Sequence, residues 1–120
     1  MASILIVDDS RTSRKMLRNL LEENGHTVAG EAKDGQEGVN LAKELHPDII
    51  TLDITMPVLD GIGALEAIKQ DNPNARVIMV TAAGQKDKIV KAVKLGASEF
   101  VSKPYEPKLF LDTIEAVMNK

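Results

Sequence analysis

Short apolar runs alternate with longer stretches of helical periodicity along the chain. Ser3–Val7 is a continuous apolar run, the mark of a strand buried on both faces. Ser10 is placed to cap a helix through about Asn24. Met16, Leu17, Leu20 and Leu21 fall at helical spacing, and Gly25 is the stop. A less apolar strand over 27–31 suits a sheet edge. Asp34-Gly35 is a turn, and Gly35–Leu45 a helix that His46-Pro47 breaks. A strand over 48–53, a loop over 54–60 and a helix over 61–70 ended by Asn72-Pro73 come next. A strand over 75–81, a helix over 86–95 stopped by Gly96, and a strand over 98–102 follow. A final helix over 107–119 has Pro107 near its first turn.

This is a (βα)₅ pattern without linker, repeat or low-complexity stretch, and it predicts one α/β domain over 1–120. Regular alternation argues for a parallel sheet covered by helices on both faces, with right-handed crossovers. The pattern alone leaves strand order open. In such a sheet the carboxyl ends of the strands line one crevice, where ligands bind. Four polar islands follow strand runs: Asp8-Asp9, Asp53, Thr81 and Lys103-Pro104. They should meet there as three carboxylates, a hydroxyl and an ammonium.

Composition removes other chemistries. With no cysteine there is no disulfide, thiolate catalysis or Cys-ligated zinc. This fits a cytoplasmic protein. A net charge of −3 supplies no basic field for nucleic acid. The first apolar run is too short for a signal-peptide core or a membrane span, which needs about 20 residues. Aromatic residues make up only 2%, so the core has to come from Val, Ile, Leu, Ala and Met.

A carboxylate held at a strand end can attack phosphorus and form an aspartyl phosphate, and Asp53 is the candidate. Its alternative is a helix cap, but Thr55-Met56-Pro57 follows it. Asp8 and Asp9 could favour the first helix through its dipole, yet Ser10 already caps that helix. Adjacent carboxylates facing a third repel unless a cation intervenes, and oxygen-only donors suit Mg²⁺ or Mn²⁺. Thr81 could donate to a phosphoryl oxygen or cap the next helix. Lys103 could pair with a phosphoryl oxygen, and Pro104 restricts it to extended backbone and raises the chance of a cis bond. His26 and His46 are isolated. Glu22, Glu23, Glu31 and Glu37 read as solvated faces, Phe100 as core and Tyr105 as a packing residue.

The islands, in that order and spacing, resemble the receiver domain of two-component response regulators. The motifs are Ile-Leu-Ile-Val-Asp-Asp at 4–9, Asp53 with Met56-Pro57 and Asp60-Gly61, Thr81-Ala82, and Lys103-Pro104. Without an output domain, the chain looks like a single-domain regulator of the CheY type. The resemblance implies a flavodoxin-like sandwich with strand order 2-1-3-4-5. It implies that Asp53 takes phosphate from a CheA-like histidine kinase. Asp9, Asp53 and the Thr55 backbone carbonyl would ligate Mg²⁺, with Asp8 bonding through water. Thr81 and Lys103 would bind the phosphoryl oxygens. Phe100 stands where the family has a rotating aromatic, Tyr in the best-known chemotaxis members. Phe keeps the packing part of that switch and lacks the hydroxyl. Thr55 and Ala83 occupy positions that tune phosphoryl lifetime. A target such as a flagellar motor switch would bind the face of the fourth helix, fifth strand and fifth helix, and a phosphatase could act on the product.

The same residues leave other readings open. A phosphorelay intermediate or phosphate sink would use the same site. A flavodoxin-like cofactor binder would need Gly, Ser and Thr amides after the first strand, where Asp8-Asp9-Ser10-Arg11 stands. An aspartate-nucleophile phosphatase would typically carry Asp-x-Asp there, and Asp8 and Asp9 are adjacent.

Overall fold

Each apolar run becomes a strand in the computed structural model, which describes residues 2–120. The strands are β1 (Ser3–Val7), β2 (Thr27–Ala32), β3 (Ile49–Asp53), β4 (Val77–Thr81) and β5 (Glu99–Ser102). The helices are α1 (Arg11–Glu23), α2 (Gly35–Leu45), α3 (Gly61–Asp71), α4 (Lys86–Lys94) and α5 (Pro107–Met118). All pairings are parallel, in the order β2-β1-β3-β4-β5. This is the doubly wound flavodoxin-like fold. The order reverses between β1 and β3, and that switch point opens a crevice above their carboxyl ends.

Continuous apolar runs are required because both sheet faces are covered. Successive side chains alternate across a strand. Leu5, Val7, Ile50, Leu52, Val77 and Met79 therefore pack with Val39, Ala64, Leu65, Ile68 and Ala92 from α2, α3 and α4. Their neighbours Ile4, Ile6, Ile49, Ile78, Val80 and Val101 pack with Leu17, Leu21, Phe110, Ile114 and Val117 from α1 and α5.

Most element ends follow local chemistry. Ser10 Oγ accepts from the Ser13 amide at 3.2 Å, Asp34 Oδ1 from Glu37 at 2.8 Å and Asp60 Oδ1 from Gly63 at 2.9 Å. Each caps a helix at its start. Gly25 and Gly96 adopt φ of 84° and 94° just past α1 and α4. His46 closes α2 at φ 48°. β2 runs one residue further than expected, to Ala32, because its pairing with β1, shifted by a bulge at Ala29, continues to Val7 opposite Ala32. β3, β4 and β5 start later than expected, at Ile49, Val77 and Glu99.

Gly61 ties the fold to the crevice. Its amide donates to the Ile54 carbonyl at 2.7 Å, and a Cβ there would strike the Asp53 carbonyl oxygen. Gly61→Ala is expected to cost about 1–3 kcal/mol through forced backbone shifts. Urea unfolding measures this, and an unchanged midpoint would contradict the close approach.

Candidate functional site

β3 delivers Asp53 as its last residue, and β1 delivers Asp8 and Asp9 just beyond its end. The Asp8 amide donates to the Ala32 carbonyl at 3.0 Å, its Oδ1 accepts from the Ser10 amide at 2.8 Å, and its carbonyl accepts from Arg14 Nη1 at 2.8 Å. Asp8 is thus fixed from three sides. Lys103, just past β5, places Nζ 2.9 Å from Asp53 Oδ2 and 3.3 Å from Asp8 Oδ2. The peptide bond to Pro104 is cis. Four of the five residues expected to carry the chemistry, Asp8, Asp9, Asp53 and Lys103, therefore converge in one cluster.

Thr81 ends β4, the strand next to β3. It is 2% exposed, and its hydroxyl lies 3.5 Å from Ser102 Oγ. It does not cap α4, whose cap position is Gln85. Thr55 is exposed on the loop after β3, and Ala83 is exposed on the loop after β4. Phe100 is half-buried against the α2–α3–α4 side of the core, so it is less fully a core residue than its apolar neighbours suggest.

Burial pushes the Asp53 carboxyl above its ordinary range. Lys103 and the Thr55 amide oppose this, and Asp8 adds to it. Burial lowers Lys103, but its bonds to Asp53 and its attraction to Asp53 and Asp8 prevail, and the ammonium is held above its usual value. Lys103 thus acts as the internal counter-cation of the acids. Desolvation also raises the Tyr105 hydroxyl; its ring lies 4.7 Å from that of Phe110.

The donor set fits a hard divalent cation. Asp8, Asp9 and Asp53 each offer an oxygen, all within 4.8 Å of one another. Lys103 offsets only part of their charge. Millimolar Mg²⁺ is expected to raise the melting temperature, with about 1.4 kcal/mol gained at tenfold excess over Kd. Asp9→Asn should remove most of that gain, as a thermal scan with and without chelator would show. An equal gain in the variant would contradict a site that includes Asp9.

Sequence pattern missed three side-chain pairings. Glu31 was expected on a solvated face, yet it accepts from Arg14 Nε at 3.2 Å and Arg18 Nε at 2.6 Å. The fold sets Glu31 on β2 within reach of both arginines of α1. Glu37 likewise accepts from the Lys33 amide at 3.2 Å rather than only facing solvent. Gln85 reaches across the crevice mouth: Nε2 donates to Thr55 Oγ1 at 2.7 Å, and Oε1 accepts from the Ala82 amide at 2.6 Å. No periodicity links residues thirty positions apart. His26 is buried by a structural bond, its Nδ1 accepting from the Ala2 amide at 3.1 Å.

An acidic cluster with a lysine at the switch point of this fold has known counterparts. The sequence profile of the response regulator receiver domain matches residues 4–115. The chain belongs to the response regulator receiver family. A chemotaxis protein CheY from Thermotoga maritima is 43% identical over 95% of both chains. A protein CcdB from Bacillus subtilis is 44% identical over 98% of both. The response regulator domain of Thermotoga maritima CheB superposes with a TM-score of 0.91 at 37% identity, covering 98% of this chain and 96% of that one. A receiver protein of this family acts in signalling. Among the described residues, no helix is long and apolar enough to cross a membrane.

Proposed function

We propose that this receiver is a phosphorylation-activated switch whose acceptor is Asp53, and that it acts in cytoplasmic chemotaxis signalling. The observation that carries this reading is the Lys103 ammonium bridging Asp53 and Asp8 at 2.9 and 3.3 Å. It supports Asp53 as a carboxylate held by a cation that stays in reach of whatever it carries.

In the proposed transfer, an Asp53 carboxylate oxygen attacks the phosphorus of a kinase phosphohistidine. The P–O bond forms as the P–N bond breaks, and the imidazole nitrogen leaves with the bonding pair. Asp8, Asp9, Asp53 and the Thr55 carbonyl would hold Mg²⁺, or Mn²⁺ in its place, which supplies charge neutralisation between donor and acceptor. Lys103 stays paired to the new phosphoryl oxygens. The added charge of about −1.5 to −2 draws the Thr81 hydroxyl away from Ser102. Phe100 then packs inward behind the moved loop. Thr55 and Ala83 set how open the mouth is to water, and so the phosphoryl lifetime.

The target face is that of α4, β5 and α5. Val90, Val93 and Leu109 lie exposed there, beside a groove lined by Phe100, Tyr105 and Leu109. A motor-switch protein is the proposed target, and a separate phosphatase a possible partner. The test starts from a phosphorylated CheA-like kinase. Loss of kinase label to this protein, followed by binding to a motor-switch protein, is the expected result. Onward loss of label to a second histidine protein, without gain in target affinity, would establish the relay reading instead.

A further inference from the structure

The mouth of the acidic crevice is spanned by one side chain that the transfer chemistry does not use. Gln85 opens α4, yet it makes no capping bond to that helix. Its amide instead joins two loops. Nε2 donates to Thr55 Oγ1 at 2.7 Å on the loop after β3, and Oε1 accepts from the Ala82 backbone amide at 2.6 Å on the loop after β4. Both bonds are short. Gln85 is half-buried, whereas Ala82, Ala83, Gly84 and Thr55 are all exposed. The Gln85 amide therefore ties the loop after β4 to the loop after β3. Gly84, at φ 83° with nothing within 4 Å of where a Cβ would stand, leaves the loop space to move.

Thr81 lies directly before this loop, and its hydroxyl lies 3.5 Å from Ser102 Oγ. A shift of the loop that accompanies the drawing of this hydroxyl toward a group on Asp53 would stretch the Ala82 amide's bond to Gln85. We propose that Gln85 is a positioning residue that latches the crevice mouth in the resting arrangement. It restrains the 82–84 segment and sets the phosphoryl load needed to release it. This rests on the assignment of Asp53 as acceptor and Thr81 as its reporter. A latch that stabilises only the resting state lowers affinity for anything that demands the shifted state.

The test uses beryllofluoride, a phosphoryl mimic, with Mg²⁺, and follows backbone amide NMR shifts. Four proteins are titrated: the parent, Gln85→Ala, Thr55→Val and the double variant. Each substitution breaks one or both ends of the latch. Gln85→Ala is expected to bind the mimic about three- to tenfold more tightly, the equivalent of about one net hydrogen bond. Thr55→Val should gain less, and the double variant should add nothing to Gln85→Ala, since the two ends act as one unit. In the free protein, the Ala82 amide should exchange with solvent faster in Gln85→Ala, and the melting temperature should fall by a few degrees, because the latch stabilises the resting fold. A purely structural role would lower stability and leave mimic affinity alone, so the affinity gain is the deciding readout. Unchanged or weaker mimic binding by Gln85→Ala, with normal binding by the parent, would overturn the latch and leave the acceptor assignment standing. Failure of the parent itself to bind the mimic would overturn both.

Discussion

Asp53→Asn is expected to take no label from a phosphorylated kinase, and at neutral pH without divalent ions to be more stable than the parent. The first effect is all-or-none, because Asn lacks a nucleophilic oxygen of carboxylate character. The second follows from the raised carboxyl. Burial, with Asp8 nearby, makes the ionised form unfavourable in the folded state despite Lys103. The folded protein therefore binds more protons than the unfolded chain between the ordinary carboxyl value, near 3.9, and the raised one. Stability falls as pH rises through that window, and the full cost is present above it. Asn stands for the neutral form at every pH. Its advantage should be constant at neutral pH, shrink as pH drops through the window, and vanish below it. Thermal scans in chelator across pH check this. A variant less stable than the parent at pH 7 would show that the Lys103 pair outweighs burial.

Lys103→Met is the second large effect. The methionine keeps most of the apolar stem and removes the ammonium. Asp8 and Asp53, with side chains 12% and 13% exposed, then face each other uncompensated. Breaking a well-buried pair costs about 3–5 kcal/mol. Lys103 is 32% exposed and solvent screens it, so about 1–3 kcal/mol is expected here. The loss should be present throughout neutral pH and shrink in acid as the carboxylates take up protons. Mg²⁺ affinity should rise several-fold, since the competing internal cation is gone. Phosphorylation should persist while the response of target binding is lost, since nothing links the phosphoryl oxygens to β5. Urea unfolding, metal titration and target binding separate these outcomes. Unchanged stability together with a normal target response would contradict the bridging role.

How much was legible in the sequence depended on the range of the signal. Continuous apolar runs such as Ile4–Val7 marked buried strands because helices cover both sheet faces. Gly25 and Gly96 marked helix ends because their positive φ disfavours other residues. The convergence of Asp8, Asp9, Asp53 and Lys103 followed from strand ends alone, once a parallel sheet was inferred. Side-chain pairings across elements were not legible. Glu31 looks like any solvated glutamate until α1 brings Arg14 and Arg18 against it. Gln85 sits among helix-start residues, and only the folded loops bring it to Thr55. The resting direction of Thr81 was equally hidden, since a strand end places a residue without aiming its hydroxyl.

The most direct test of the account is the intact mass of the parent protein after acetyl phosphate, with and without Mg²⁺, followed by borohydride trapping and peptide mapping. The prediction is a gain of about 80 Da, one phosphoryl group, that needs Mg²⁺ and maps to the peptide carrying Asp53. A gain that maps to another residue, or none in a protein whose spectrum beryllofluoride also leaves unchanged, would contradict Asp53 as the acceptor.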